Sequence, residues 1–285
     1  MKIKVAIIGT GNIGTDLLLK ALKTDFMDVV AFVGRRLDSD GMLTAKKHNI
    51  LISDQGIEYF INNPKCCDVV YDCTSAADAI EHAKIFKEQG IKVIDLTPAK
   101  VGDMCVPDVN SEIISTDDNV NMITCGGQAS MPMLHLLSKE CTGLEYIEVV
   151  SQIASKSAGM ATRINVDNYI QTTQKAITKF TGCSNNKVIL NLNPAEPCVD
   201  MQTTMFIKAK KVNFENLTEK VLDKIEELRT YIPYYEMVLP PTMNDSGVVV
   251  MSIKVRGTGD YLPAYAGNLD IINCAAIKVT ERLVK

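Results

Sequence analysis

The sequence predicts an α/β chain in two parts: a parallel, doubly wound sheet, then an α+β unit whose sheet is mainly antiparallel. Three observations predict it. Short apolar runs rich in β-branched residues alternate with helical patterns over residues 1–124, as in crossover-linked parallel strands. A glycine-rich turn, Gly9-Thr10-Gly11-Asn12-Ile13-Gly14, follows the first of these runs and opens the first helix. Beyond residue 125 the strand-like runs lengthen and few helices separate them, which indicates an antiparallel sheet covered on one side.

Residues 3–8 form a short buried-strand pattern. Helical spacing follows over 15–23, with Ile13, Leu17, Leu18 and Leu22 on one side, and a second strand over 28–33 completes a βαβ unit. G-x-G-x-x-G alone is a weak signal, but between a strand and a helix, with a second strand at this distance, it marks a Rossmann dinucleotide-binding domain. The glycines permit a tight turn and close approach of a pyrophosphate to the helix N-terminus. A carboxylate that reads the ribose is expected about 20 residues further on. The chain has Gly34-Arg35-Arg36-Leu37-Asp38 there. An acid would bond the ribose hydroxyls and repel a 2′-phosphate, whereas Arg35 and Arg36 would pair with one. NAD and NADP both stay open, with Asp38 or Asp40 able to fold back to the ribose. Helices over 58–62 and 76–89 and strands over 68–72 and 92–96 continue the alternation. The strand ends Asp72-Cys73-Thr74-Ser75 and Asp95-Leu96-Thr97-Pro98-Ala99 fall on the edge where such sheets bind ligands. His82 reads as a helix-surface residue.

The junction is Thr124-Cys125-Gly126-Gly127-Gln128-Ala129-Ser130. It places a cysteine after an apolar run and before a helix expected to begin near Ser130. Oriented amides and the positive end of a helix dipole favour a thiolate at such a corner. Further on, strands are expected over 146–151, 187–192, 203–212 and 247–255. Helix 166–180 has Asn165 as its N-cap. A second helix opens on Asn216-Leu217-Thr218-Glu219, a capping-box pattern, and carries Leu217, Val221, Ile225 and Leu228 on one face. The final segment, 269–285, reads as an apolar helix that packs back on the first part. The division is therefore 1–124 with 269–285 as a dinucleotide-binding domain, and 125–268 as a second domain with a different job.

Composition narrows the partners. A length of 285 residues allows full cores for two domains, and a net charge of −4 argues against nucleic acid or an anionic membrane surface. The nine cysteines show no metal-ligand spacing with the three histidines, so reduced thiols and a cytoplasmic setting are expected, with no metal. No signal-like or membrane-spanning run is visible.

Several segments resemble the CoA-acylating acetaldehyde dehydrogenases. Thr124-Cys125-Gly126-Gly127-Gln128-Ala129 is similar to the nucleophile segment of that family. Gly11-Asn12-Ile13-Gly14-Thr15-Asp16-Leu17, Ser155-Lys156-Ser157-Ala158-Gly159, Leu192-Asn193-Pro194-Ala195-Glu196-Pro197 and Ala266-Gly267-Asn268-Leu269-Asp270-Ile271 extend the match in order along the whole chain. The resemblance implies a glyceraldehyde-3-phosphate-dehydrogenase-like pair of domains, with 125–268 as the catalytic, substrate-binding and dimerisation domain, and a homo-oligomer. It implies that the Cys125 thiolate attacks a short aldehyde and gives a thiohemiacetal. Hydride transfer to NAD or NADP then leaves a thioester, and coenzyme A takes the acyl group. The amides of residues 126–129 would lower the thiol pKa and hold the oxyanion. Thr10 to Ile13 would contact the pyrophosphate. The segment Ser157-Ala158-Gly159-Met160-Ala161-Thr162-Arg163-Ile164-Asn165 would approach the cofactor, and Asn268 would bond the nicotinamide carboxamide. The family often works with an aldolase that makes its aldehyde.

The chain departs from the family pattern in three places. Met160-Ala161 replaces Pro-Gly in the loop. Gln202-Thr203 stands where an Arg-Asp pair is usual, which removes a carboxylate that would activate the cysteine or position coenzyme A. Asp200 lies an odd number of strand positions away and faces the other side. The acidic turn common after the second strand is Gly34-Arg35-Arg36 here. His135, ten positions beyond Cys125, is the remaining base among the histidines, and Met131, Met133 and Met160 either line a pocket or fill core. Two other readings fit the residues: a cysteine-dependent aldehyde dehydrogenase with another aldehyde or acyl acceptor, and a non-catalytic dinucleotide-binding protein.

Overall fold

A computed structural model describes residues 2–284, without the side chain of Ala161; Lys285, the last residue of the expected C-terminal helix, lies outside the described residues. The first part runs β1 (Ile3–Ile8), α1 (Asn12–Ala21), β2 (Met27–Val33), α2 (Asp40–Lys47), β3 (Ile52–Ser53), α3 (Ile57–Asn62), β4 (Val69–Asp72), α4 (Ala76–Gln89), β5 (Lys92–Asp95), β6 (Asp103–Met104), α5 (Pro107–Asn110), α6 (Ile113–Thr116) and β7 (Asn119–Asn121). Its seven strands lie in the order β3-β2-β1-β4-β5-β7-β6, all paired parallel. Parallel strands need helical crossovers that bury both sheet faces, and here two apolar cores flank the sheet. The strand order reverses between β1 and β4, so their C-terminal ends diverge and open a crevice.

The second part runs α7 (Cys125–Lys139), β8 (Cys141–Ala154), α8 (Met160–Ile164), α9 (Val166–Thr181), β9 (Asn186–Asn193), β10 (Met201–Val212), α10 (Leu217–Arg229), β11 (Tyr235–Met243), β12 (Val248–Val255) and α11 (Gly267–Glu281). Its five strands lie in the order β11-β12-β10-β8-β9, antiparallel except for the β8–β9 pair. Along β8 and β10 the residues alternate: Ile147, Val149, Ile153, Met201, Met205 and Ile207 are buried, while Val150, Thr204 and Phe206 are half-exposed on the other face. Helices α7, α9 and α10 supply the cover for the buried face. The apolar stripe of α10 forms as expected, with Leu217, Val221, Ile225 and Leu228 buried. Its capping box does not: Asn216 sits at φ +53° and its side chain makes no capping bond.

Strand β11 was not expected, because Pro240 and Pro241 interrupt its pattern. A proline lacks the ladder donor, which an edge strand tolerates, and β11 is an edge strand. Helix α7 starts at Cys125, five residues before the expected Ser130. Thr124 is its N-cap, with Oγ1 accepting from the Gly127 amide at 2.9 Å. That bond offsets the poor helix propensity of Gly126 and Gly127. Helix α11 bridges both cores: Ile271 packs in the second, and Ile272, Ala275, Ala276 and Val279 in the first.

Candidate active site

The crevice at the β1/β4 edge is a cleft of about 560 Å³. Its floor is backbone. Gly9 has φ +104°, and a Cβ on it would lie 2.5 Å from the Cys73 carbonyl carbon. A Cβ on Gly14 would meet the Gly9 carbonyl oxygen at 1.9 Å, so α1 packs against the turn only as glycine. Gly11 differs: a Cβ there would meet nothing within 4 Å, so it leaves open space above the N-terminus of α1. That opening is what a pyrophosphate needs at a helix N-terminus.

Gly9, Thr10, Gly11, Arg35 and Arg36 line one side of the cleft, and Met160, Ile164 and Asn165 the other. Arg36 donates to Asp38 through Nε and Nη2 at 3.1 and 3.0 Å, both side chains being exposed. Asp38 and Asp40 do not line the cleft, contrary to the option of a fold-back to the ribose; Asp54, after β3, does. The 157–165 segment closes against the glycine turn, with Asn12 Nδ2 3.5 Å from the Ser157 carbonyl. Gly159 faces the same asparagine. Ser157 and Ala158 are buried. Arg163 folds back, donating to the carbonyls of Ala158 at 3.1 Å and Ser155 at 2.7 Å, and so pins its own loop. Met160 and Ile164 are 71% and 73% exposed beside the cleft.

His82 is not a surface residue. It is buried, and its Nδ1 lies 2.7 Å from Asp72 Oδ2, while Asp72 Oδ1 accepts from the Thr74 amide at 3.0 Å. Asp95, beside Asp72 on the next strand, does the same for the next turn: it accepts from the Thr97 amide at 2.7 Å and from Asn121 Nδ2 at 2.8 Å. Burial, with Asp72 alongside, pushes Asp95 up to about 7. These carboxylates hold the Thr74 and Thr97 turns.

Those turns form part of a small inner cavity, about 50 Å³, at the inner end of the cleft. Ile13, Thr162, Asn165, Tyr169, Asn268 and Cys125 also line it. Asn268 is buried, and its Oδ1 has no hydrogen-bond partner. A buried acceptor left unpaired is costly unless a ligand completes it, and a carboxamide N–H is a donor of the right kind. With the open glycine turn, it fits a nicotinamide dinucleotide. The start of α11, which carries Asn268, is tied to α1 by a buried ion cluster. Lys20 Nζ lies 2.9 Å from Asp270 and 3.3 Å from Asp16, and also pairs with Asp260. Burial pushes Asp16 up to about 6 despite Lys20.

Cys125 is half-buried at the first position of α7. Of the amides of 126–129 expected to serve its thiolate and an oxyanion, those of Gly127 and Gln128 are taken up by Thr124, while that of Gly126 acts on both the Tyr169 hydroxyl and the sulfur. Gly126 N–H donates to the Tyr169 hydroxyl at 2.9 Å, Gly127 to Thr124 Oγ1 and Gln128 to the Thr124 carbonyl at 2.8 Å. The thiol is raised rather than lowered: burial pushes it up to about 11, opposed by the Tyr169 hydroxyl and by the Gly126 and Cys125 amides. Tyr169 Oη lies 3.7 Å from Cys125 Sγ. His135 is excluded as the base, since it lies about 15 Å further along the helix at 1.5 Å per residue and its Nδ1 is 3.1 Å from the Phe180 carbonyl. Asp200 pairs with Arg256 at 3.4 Å. Met131 and Met133 are fully buried core.

Comparison with known proteins decides the family. Residues 125–263 match the prokaryotic acetaldehyde dehydrogenase dimerisation domain, and residues 4–116 the NAD-binding domain of semialdehyde dehydrogenases. Acetaldehyde dehydrogenases from Spirochaeta aurantia and Pectobacterium atrosepticum are 51% and 50% identical, each over 99% of this chain and 95% and 96% of theirs. The chain belongs to the acetaldehyde dehydrogenase family. The family's fold extends further: aspartate semialdehyde dehydrogenase II from Vibrio cholerae matches with a TM-score of 0.68 at 15% identity, covering 100% of this chain and 99% of that one. In this family member all nine cysteines are free. Among the described residues there is no metal-ligand cluster, and no helix is long and apolar enough to cross a membrane.

Three features of the candidate site escaped the sequence: Tyr169 on the cavity wall, Ser151 beside residue 126, and the burial of His82. Tyr169 falls four positions after Asn165, one turn into α9, but nothing in a helical pattern separates a core tyrosine from one aimed at a sulfur.

Proposed function

We propose that this chain oxidises a short aldehyde with a nicotinamide dinucleotide and passes the acyl group to coenzyme A, with Cys125 as the nucleophile. One observation carries the reading. Cys125 and Asn268, whose buried Oδ1 has no hydrogen-bond partner, line a single small cavity at the inner end of the glycine-floored cleft. The names of its relatives support acetaldehyde as the substrate. So does the cavity's size and its apolar wall of Ile13, Leu96, Pro98 and Ile272. Gly9, Thr10 and Gly11 would cradle the pyrophosphate, and Asn268 would fix the carboxamide. A nicotinamide bound there would supply the hydride acceptor. Cys125 attacks the aldehyde carbonyl and afterwards holds the acyl group, which the coenzyme A thiol removes.

We propose further that residues 1–124 with α11 bind the dinucleotide and that 125–268 carry the nucleophile. The half-exposed face of the second sheet, with Val150 and Phe206, would pair subunits. Free thiols throughout fit a reducing cytoplasm. An aldolase partner, as in the family, would deliver the aldehyde. Arg36 is already paired with Asp38, which leaves Arg35 for a 2′-phosphate. The enzyme then accepts both dinucleotides, and Arg35→Ala raises KM for NADP more than for NAD.

A panel of aldehydes assayed with NAD or NADP, with and without coenzyme A, tests the proposal. Turnover is expected to need coenzyme A and to fall as the aldehyde lengthens. Sustained reduction of dinucleotide without coenzyme A would favour another acyl acceptor.

A further inference from the structure

No charged side chain lines the inner cavity among the described residues, yet the reaction proposed above requires a thiolate in it. The family pattern places an aspartate where this chain has Thr203. Thr203 is fully buried, and its Oγ1 lies 3.1 Å from Ser151 Oγ. Ser151 is itself buried. The Ser151 and Tyr169 oxygens converge so closely beside residue 126 that a Cβ there would lie 2.1 Å from Tyr169 Oη and 2.7 Å from Ser151 Oγ. Tyr169 Oη in turn contacts Cys125 Sγ at 3.7 Å. Four side chains from α7, α9, β8 and β10 thus form one polar line ending on the sulfur.

We infer that Tyr169 is a catalytic hydrogen-bond donor to the Cys125 thiolate, and that Ser151 and Thr203 are positioning residues behind it, a neutral hydroxyl relay standing in for the carboxylate. The inference rests on the reading of Cys125 as nucleophile. Donor and acceptor counting gives the relay its direction. A tyrosine hydroxyl has one proton and accepts through its lone pairs. The Gly126 amide donates to Tyr169 Oη at 2.9 Å. Once sulfur is a thiolate it only accepts, so the tyrosine proton turns toward it. The Ser151 proton then turns to Tyr169, and the Thr203 proton to Ser151. Every hydroxyl in the line donates toward the sulfur, and aligned donors polarise one another. When the thiolate forms, the S–H bond breaks, its electron pair stays on sulfur, and the proton leaves to water or a buffer base. Tyr169 keeps its own proton throughout. The requirement for glycine at 126 has the same origin, because any side chain there would displace the tyrosine hydroxyl.

Of the titratable groups near the sulfur, Cys73 shares the cavity and is held protonated by burial. The Asp72–His82 pair and Asp95 lie behind the Thr74 and Thr97 turns.

The test is the rate of iodoacetamide alkylation at Cys125, read by mass spectrometry of the peptide that contains it, across pH for wild type, Tyr169→Phe, Ser151→Ala and Thr203→Val. Tyr169→Phe is expected to move the alkylation profile upward by about one pH unit, a roughly tenfold slower reaction at neutral pH. Ser151→Ala slows it about threefold, and Thr203→Val less. A profile unchanged in Tyr169→Phe overturns the inference. If that variant fails to fold, Ser151→Ala decides on the same readout, an unchanged profile again being the contradiction. Cys125→Ala separates the two ideas: its inactivity beside an unshifted Tyr169→Phe would sink the relay alone, whereas its activity would sink the nucleophile.

Discussion

The outer cleft and the inner cavity are two ends of one groove, built by opposite means. The outer end is made of backbone: the turn from Gly9 to Gly14, open at Gly11 and closed at Gly9 and Gly14. The inner end is made of side chains that four or more elements bring together, with Cys125 on α7, Tyr169 on α9, Asn268 on α11 and the Thr74 and Thr97 turns of the first sheet. A backbone site depends on a few local residues, so it tolerates change elsewhere. A side-chain site depends on the packing of the whole second sheet. Binding and chemistry are therefore separable by mutation.

Cys125→Ala makes the sharpest break. It is expected to lower turnover by three orders of magnitude or more, roughly the scale of losing a nucleophile, while dinucleotide binding measured by fluorescence titration stays within about twofold of wild type. Equal loss of both would show that the two ends are one unit. Lys20→Met comes next and strikes the joint between them. It leaves Asp16, Asp260 and Asp270 buried around an apolar group. Denaturant unfolding is expected to show a loss of about 3–5 kcal/mol. A loss under about 1 kcal/mol would mean that water, rather than Lys20, supports those carboxylates.

The smallest effect is a change of slope. Asp95, at about 7 in the folded protein, starts from about 4 in the unfolded chain. Between those values the folded state holds the extra proton, so this group's stabilisation is complete below about pH 4 and is lost as pH rises through 7. Asp16, at about 6, acts in the same direction over a narrower window. Asp95→Asn is expected to remove up to about 1.4 kcal/mol per pH unit of that decline, measured as the pH dependence of the unfolding free energy. An unchanged slope would place the proton elsewhere.

The contrast also explains how much of the molecule was legible in its sequence. Gly9 to Gly14 were readable because glycine spacing between a strand and a helix encodes a backbone shape. The alternation of β1, β4 and β5 with α1 and α4 was readable because short β-branched runs and helical spacing are local patterns too. Cys125 was found by its corner and its neighbours, but not its helix start, which lies five residues earlier than expected, at a Thr124 cap. The capping of that turn by Thr124 and Tyr169 uses amides that had looked free for an oxyanion. His82 was misjudged because its buried partner, Asp72, lies on a strand ten residues earlier. Strand β11 was hidden by Pro240 and Pro241, which only its edge position allows. Long-range side-chain pairs carry no local pattern, and Thr203, Ser151 and Tyr169 meet only after the second sheet has formed.

The central claim is that Cys125 carries an acyl group that coenzyme A can remove. Incubation with acetyl-coenzyme A, without any nicotinamide dinucleotide, runs that step in reverse. Peptide mass measurement is predicted to find one acetyl group on the peptide containing Cys125, absent in Cys125→Ala and stripped by added coenzyme A. An unmodified Cys125, or acetylation of other cysteines undiminished in Cys125→Ala, would contradict the account.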